Sequence, residues 1–203
     1  AIPAKDPLLD VLHAAAARGK PVLGICNGCQ VLVEAGLVPG REPGAVEVAL
    51  APNRYPGRRG YHCRWVVLEP VPGARSQFLA GLPAQIPVPI AHAEGRFTHE
   101  DPEFFALLLR EGHVALRYAG AGADGRGPLN PNGSLLAAAA LGNARGNVLA
   151  MMPHPERAAA LIQVPEDLPH PWGERRRLAA GDGAVLAGPG PGFPFFARLV
   201  ALC

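Results

Sequence analysis

Two short segments, far apart in the chain, carry residue types that can do covalent chemistry together. The first is Gly24-Ile25-Cys26-Asn27-Gly28. It ends Pro21-Val22-Leu23-Gly24-Ile25, an apolar run bounded by breakers that reads as a buried parallel strand. It leads into 27–35, where Val31, Leu32 and Ala35 fall on one side of a helix. A G-x-C-x-G at a strand-to-helix junction is the thiol form of a nucleophile elbow. So tight a turn makes side chains two residues either side of the nucleophile clash, which accounts for glycine at both places. Cys26 then sits at a helix N-terminus, whose dipole favours thiolate over thiol. The backbone N–H of Asn27 points at a developing oxyanion. Other readings of this segment stay open. Cys26 and Cys29 also form a C-x-x-C, a redox pair or half a zinc site, although Cys63 and Cys203 stand alone as further ligands. A buried strand-end cysteine without a chemical role is also common.

The second segment is Met151-Met152-Pro153-His154-Pro155-Glu156-Arg157. It follows the apolar Val148-Leu149-Ala150, so His154 emerges at the C-terminal end of a strand, where sites of open α/β sheets collect. Residues two apart in an extended chain share a face, so His154 and Glu156 project together if Pro155 holds the backbone extended. A carboxylate on one ring nitrogen fixes the tautomer and leaves the other nitrogen to take a thiol proton. A lone histidine is more often structural than catalytic. The H-P-E spacing, joined to an elbow elsewhere, reverses that expectation.

The elements that must position these groups are legible in outline. Asp6-Pro7 reads as a helix cap followed by proline at the first helical position, with Gly19 as the stop. Asp101-Pro102 repeats the device for a helix through Arg110. Further strands are expected at 63–68, 86–90, 113–118 and 147–152, and a terminal helix from Phe193 to Leu202. The alanine-rich run 135–141 suits a buried helix or strand. Helix, buried strand, sharp turn and helix together predict an α/β fold, a doubly wound, mostly parallel sheet. Glycine and proline, 25 and 23 residues, cluster in 36–60 and 165–194 and predict loops there, not a second core.

Composition narrows the function. A chain of 203 residues with 49% hydrophobic content fills one core, not two. A net charge of +2 with 18% charged residues leaves no footprint for nucleic acid or a membrane surface. Arg175-Arg176-Arg177 follows Glu174 and reads as a solvated face. Four unevenly spaced cysteines and no secretory segment predict reduced thiols in a cytoplasmic protein. No phosphate-cradling P-loop pattern occurs.

With both segments in view, the chain resembles the class I, triad-type glutamine amidotransferases, and within them the glutaminase subunits of phosphoribosylformylglycinamidine synthase from purine biosynthesis. The likeness runs through 20–30, Glu34-Ala35-Gly36-Leu37-Val38-Pro39-Gly40, Ala91-His92-Ala93-Glu94-Gly95-Arg96, Asn130-Pro131-Asn132-Gly133-Ser134 and 146–158, covering roughly residues 5–160 in order. It implies a flavodoxin-like single domain over 1–203 with a proline- and glycine-rich insertion at about 161–194. It implies Cys26, His154 and Glu156 as the triad, Asn27 as an oxyanion donor and Gln30 as a holder of substrate glutamine. His92 and Glu94 fall near the glutamine pocket or a subunit interface, against the plainer reading of a surface loop pair. The resemblance further implies no cofactor or metal in this chain. Ammonia would pass to a large synthetase subunit that uses ATP and magnesium, beside a small third subunit. The chain departs from the family at Ala93, usually glycine. It also opens at Ala1, after the point where the family has a first strand and a glycine-rich loop giving a second oxyanion donor, so the sheet is expected to lack those N-terminal strands. A stand-alone thiol hydrolase of the same fold, or a non-catalytic partner-binding module, are the rival expectations.

Overall fold

A computed structural model describes residues 7–55, 60–120 and 130–203. Its centre is a six-stranded sheet in the order β1 (Val22–Ile25), β8 (Val148–Met151), β7 (Ala138–Gly142), β6 (Val114–Ala119), β3 (His62–Pro70), β4 (Ile86–His92). The strands expected at 63–68, 86–90, 113–118 and 147–152 are all present, and the alanine-rich run resolves as a 3-10 turn, Leu135–Ala137, leading into strand β7. A small antiparallel pair, β2 (Ala49–Pro52) with β5 (Glu94–Thr98), stands beside the main sheet.

Both faces of the sheet are covered, as a doubly wound fold requires. Val148 and Ala150 pack on one side with Ala16 of α1 (Pro7–Ala17), Leu32 and Val33 of α2 (Asn27–Glu34), and Phe105 and Leu108 of α3 (Pro102–Arg110). The alternate residues Leu149 and Met151 pack on the other side with Phe78 and with Phe195 of α6 (Phe193–Leu202). This period-2 division of an all-apolar strand marks β8 as central. Asp101 caps α3 as expected, its carboxylate accepting from the Glu103 N–H at 2.9 Å, a contribution of about 1 kcal/mol. The expected Asp6 cap lies outside the described residues.

The α/β class holds, but the pairing corrects one expectation. Among the described residues only β1 and β8 run parallel; β8–β7, β7–β6, β6–β3 and β3–β4 are antiparallel. The connection between β7 and β8 is a turn through 143–147, too short for the crossover that a parallel pair needs. Apolar strands covered on both faces look alike in either direction, so pairing sense was not legible in them.

The stretch 161–194 is also more ordered than a loop. It contains α4 (Pro171–Leu178) and α5 (Gly183–Leu186), and Leu161, Val164, Leu168 and Ala179 bury against Val67 and Ala119 of the main sheet. Pro171 is an N-terminal helix residue here, with His170 as the cap, so a residue read as a breaker is a starter. Among the described residues no helix is long and apolar enough to cross a membrane.

Candidate active site

The C-terminal ends of the two parallel strands lie side by side, and the chemistry-bearing residues leave from them. Cys26 directly follows β1, its N–H bonded to the Met151 carbonyl at 2.9 Å, so the strand ladder itself holds the thiol beside the end of β8. Its backbone is strained, with φ 51° and ψ −106°, and it occupies the N-cap of α2. A non-glycine residue held at positive φ costs energy that the surrounding structure must supply, and such strain clusters at reactive sites. Asn27 is the first residue of α2, so its N–H is one of the donors no helical carbonyl can satisfy.

Gly24 is required by this turn: a Cβ there would meet Leu32 Cδ1 at 2.4 Å and the Gly28 carbonyl oxygen at 2.6 Å. The same argument fails for Gly28. A Cβ added at Gly28 meets nothing within 4 Å, so steric demand explains only the first glycine of the pair.

His154 follows β8 by three residues and is 6% exposed. Its N–H is anchored to the Pro89 carbonyl at 2.8 Å, and its Nδ1 meets Glu156 Oε1 at 2.5 Å. A carboxylate only accepts, so Nδ1 carries the proton and Nε2 is left to face the thiol. Pairing with Glu156 arises differently from the expected extended segment. Pro155 opens a 3-10 turn, Pro155–Ala158, and that turn swings Glu156 back onto the ring. Nε2 is buried without a partner at full hydrogen-bond geometry. Even so, the Cys26 thiol is the neighbour that most raises the His154 pKa, ahead of the opposing burial and then of Glu156, whose hydrogen bond and charge raise it further. Arg157 Nε stands 3.7 Å from the same Glu156 oxygen.

Cys29, the other half of the C-x-x-C, is fully buried with Leu32 and Val33. Burial first, and then Cys26, pushes its thiol pKa well up. It packs the core and stays protonated. Gln30 lies on α2 one turn past Cys26 and donates to the Glu94 carbonyl at 3.3 Å. Both line a cavity of about 190 Å³ with Val46, Val48 and Leu50. A second cavity, of about 770 Å³, is lined by Glu94 together with Asn53, Arg54, Tyr55 and Arg96.

Burial separates the two members of the His92–Glu94 pair. Glu94 is exposed, whereas His92 is the last residue of β4 and 4% exposed. Its Nδ1 meets Asn53 Oδ1 at 3.1 Å, and its ring packs so closely on Gly95 that a Cβ there would lie 2.3 Å from ring atoms. Ala93 needs no positive φ, so alanine fits where the family usually has glycine. Burial first, then His62 and His154, lowers the His92 pKa to about 4. Several supporting residues carried no signal in the sequence. Asn53 is delivered by a bulge at Pro52, the end of β2. Asn132 donates to the Gly95 carbonyl at 2.6 Å and accepts from the Ser134 hydroxyl at 2.8 Å, while Ser134 Oγ accepts from the Phe97 N–H. The Asn130–Ser134 motif, visible only as part of a resemblance, is therefore the clamp that fixes β5 against His92.

The low His92 pKa has a consequence for stability. In the unfolded chain this imidazole titrates near its ordinary value, so between about pH 6.5 and pH 4 the unfolded state binds a proton that the native state refuses. The contribution, about 3 kcal/mol, is present at neutral pH and is lost as pH falls through that window. His154, with a raised pKa, acts in the opposite sense: its stabilisation is complete below its unfolded value and is lost as pH rises through its folded one. Urea unfolding from pH 7 to 4.5 is expected to show a steeper acid loss in the parent chain than in His92→Phe. Equal slopes would mean that His92 is already free to protonate in the native state.

A strained thiol on a strand-to-helix turn, facing an imidazole that a carboxylate orients, is a thiol-triad arrangement on an α/β sheet with both faces covered. Residues 2–179 match the model of the CobB/CobQ-like glutamine amidotransferase domain, and the chain belongs to that family. It is 37% identical over 178 residues to phosphoribosylformylglycinamidine synthase subunit PurQ of Methanothrix thermoacetophila, covering 83% of this chain and 67% of that protein. It is 39% identical over 155 residues to the subunit of the same name from Treponema denticola, covering 69% and 57%. In structure it is similar to a chain of PurLQS from Thermotoga maritima, with a TM-score of 0.62 and 27% identity over 98% of this chain and 69% of that one. The chain thus spans about two thirds or less of the length of these relatives.

Proposed function

We propose that the chain is the glutaminase component of a phosphoribosylformylglycinamidine synthase. Cys26, His154 and Glu156 carry the reaction in this reading. The thiolate of Cys26 attacks the carboxamide carbon of glutamine, and the carbonyl electron pair moves onto oxygen near the Asn27 N–H. The C–N bond then breaks as His154 Nε2 protonates the leaving nitrogen, giving ammonia and a Cys26 thioester. Water attacks that thioester with its proton passing to His154, and glutamate leaves. Glu156 keeps the ring in the tautomer both steps need. The observation that carries the reading is His154, turned toward Cys26 by its 2.5 Å contact with Glu156.

Ammonia would pass to an ATP- and magnesium-dependent synthetase subunit in the cytoplasm, with a small third subunit in the assembly; the relatives named PurQ and the PurLQS neighbour support an assembly with further subunits. Gln30, beside the smaller cavity, would help hold glutamine. Such a subunit wastes glutamine if it runs unpartnered, so hydrolysis by the purified chain is expected to be slow. Adding the synthetase should raise glutamate release by at least about tenfold, roughly 1.4 kcal/mol of barrier. Full-rate hydrolysis by the chain alone, unchanged on adding the synthetase, would refute the dependence on a partner.

A further inference from the structure

His154 and Glu156 are held by different parts of the chain. The His154 backbone is tied to β4 through the Pro89 carbonyl at 2.8 Å. Glu156 rides on the 3-10 turn Pro155–Ala158, and its side chain is 42% exposed. Its carboxylate meets His154 Nδ1 at 2.5 Å and Arg157 Nε at 3.7 Å. A carboxylate so open to solvent takes its aim from the backbone that carries it. A single 3-10 turn has poor hydrogen-bond geometry of its own, so this one must be held from outside.

The hold comes from the stretch 161–194, both ends of which close on the turn. At the far end, 188–192 runs along 158–161. Leu161 N–H donates to the Gly188 carbonyl at 2.9 Å, Gly190 N–H to the Ala159 carbonyl at 2.8 Å and Gly192 N–H to the Ala158 carbonyl at 2.8 Å. Ala160 and Pro189 form an antiparallel bridge in the same contact. Gly190 and Gly192 are buried there, and neither has a positive φ, so backbone conformation does not call for glycine. Space does. A Cβ at Gly192 would lie 2.1 Å from the Pro155 carbonyl oxygen and 3.0 Å from Pro155 Cα, and one at Gly190 2.4 Å from the Ala158 carbonyl oxygen. Pro155 is the residue between the two triad members. At the near end, Gln163 reaches back over the turn. Its amide nitrogen donates to the Glu156 carbonyl at 3.0 Å, and its Oε1 accepts from the Ala160 N–H at 2.8 Å.

Resting on the glutaminase reading above, we propose that the Gly190–Gly192 strap and Gln163 are positioning elements of the triad, which hold the Pro155–Ala158 turn where Glu156 meets the His154 ring. Neither lines the cavities beside Gln30 and Glu94, so they act on the alignment of the reacting groups and not on substrate. The stretch 161–194 thereby gains a part in the reaction: it leaves the turn at Gln163, packs on the sheet through Leu161, Val164, Leu168 and Ala179, and returns to close on the same turn.

The test separates alignment from stability. In the complex with its synthetase, Gly192→Ala must open its 2.1 Å approach to Pro155 by about 1 Å, and kcat for glutamate release should fall about 10- to 100-fold with KM changed less than about twofold. Gln163→Ala, at an exposed position and without crowding, should lower kcat by about three- to tenfold, the rate equivalent of one or two weakened hydrogen bonds. In both variants the His154 titration, read by NMR, should move down, because Glu156 is one of the groups that raise it. The other groups facing the ring, Cys26 and His92, and Arg157 beside Glu156, are untouched. Leu168→Ala is the control: it opens the apolar cluster under the same stretch without touching the turn. It should lower Tm and leave kcat per folded chain and the His154 titration at parent values. A parent kcat with an unmoved titration in Gln163→Ala would overturn the proposal, and so would a loss and shift that Leu168→Ala reproduces. Should Gly192→Ala fail to fold, Gln163→Ala carries the test. A parent complex inert on glutamine would refute the glutaminase reading, and the His154 titrations would then decide by themselves whether the strap holds Glu156.

Discussion

Cys26→Ser is expected to abolish glutamine-dependent synthesis while leaving ammonia-dependent synthesis by the assembled complex intact. Ammonia supplied in solution bypasses the thioester and needs only the synthetase. The backbone at Cys26 is held at φ 51° by its bond to Met151 and by the Gly24–Leu32 contact, so serine inherits the position with little change in stability. What it loses is the nucleophile: a hydroxyl is far harder to ionise than a thiol, and the loss in glutamine turnover should be on the order of 10⁴-fold or more. Cys29→Ser is the matched control. It buries a hydroxyl in the apolar cluster of Leu32 and Val33, costing about 1–3 kcal/mol of stability, yet removes nothing from the reacting groups. Parallel assays of glutamate release, amide product from glutamine and amide product from ammonium salts separate the two variants. If Cys26→Ser kept near-normal glutaminase activity while Cys29→Ser lost it, the elbow assignment would be wrong and the C-x-x-C would have to be reread.

What could be read in the residues, and what could not, divides along physical lines. The elbow was legible because a tight strand-to-helix turn needs glycine at Gly24, and that demand leaves a mark at a fixed distance from Cys26. The same logic misassigned Gly28, which faces open space; a pattern of two glycines does not say that both are there for one reason. Capped helices such as α3 were legible because aspartate and proline act locally. Pairing sense was not, since β7 is apolar on both faces and β6 is so apart from Arg117, much as a parallel strand would be. Leu8 at the start of α1 keeps the helical period and still lies half exposed, because period alone does not say what will cover a face.

The supporting shell was hidden for a further reason. Asn53, His62, Asn132 and Ser134 act through contacts spanning 37 residues, as between Gly95 and Asn132, or 69, as between His62 and Pro131. Nothing local betrays such a contact. Sequence alone left His92 and Glu94 open between a pocket or interface role and a surface pair, because two residues so close in the chain look alike. The difference between them is that β4 ends on His92 and the chain then turns at Ala93 toward the small sheet. Buried polar side chains of this kind become visible only when the accounting of donors and acceptors can be closed across the whole site.

His154→Ala and Glu156→Gln should both cripple glutamine hydrolysis, and by unequal amounts. In the proposed mechanism His154 moves a proton in each half-reaction, donating to the departing nitrogen and then accepting from water. Its loss should match the loss of Cys26, on the order of 10⁴-fold or more, because members of a triad act as a unit and losing one is close to losing all. Glu156 does not move a proton. Its carboxylate holds Nδ1–H at 2.5 Å and helps raise the His154 pKa. Glutamine at 156 can still meet the ring, but with its amide nitrogen it favours the tautomer in which Nε2 carries the proton and has no lone pair for the thiol. Its side-chain oxygen can restore the correct tautomer in a fraction of molecules. Because the Glu156 side chain is 42% exposed, this reorientation is unhindered, and the loss should be roughly 10²–10⁴-fold. The imidazole titration supplies an independent sign. Removing the carboxylate removes one of the causes that raise the His154 pKa, so Glu156→Gln should lower it, a shift readable by NMR in a chain whose circular dichroism is unchanged. Steady-state kinetics in the reconstituted complex then give the order: His154→Ala slower than Glu156→Gln, and both far below the parent. Should Glu156→Gln turn over glutamine at the parent rate with an unmoved His154 titration, the 2.5 Å contact has no part in catalysis, and another carboxylate must orient the ring.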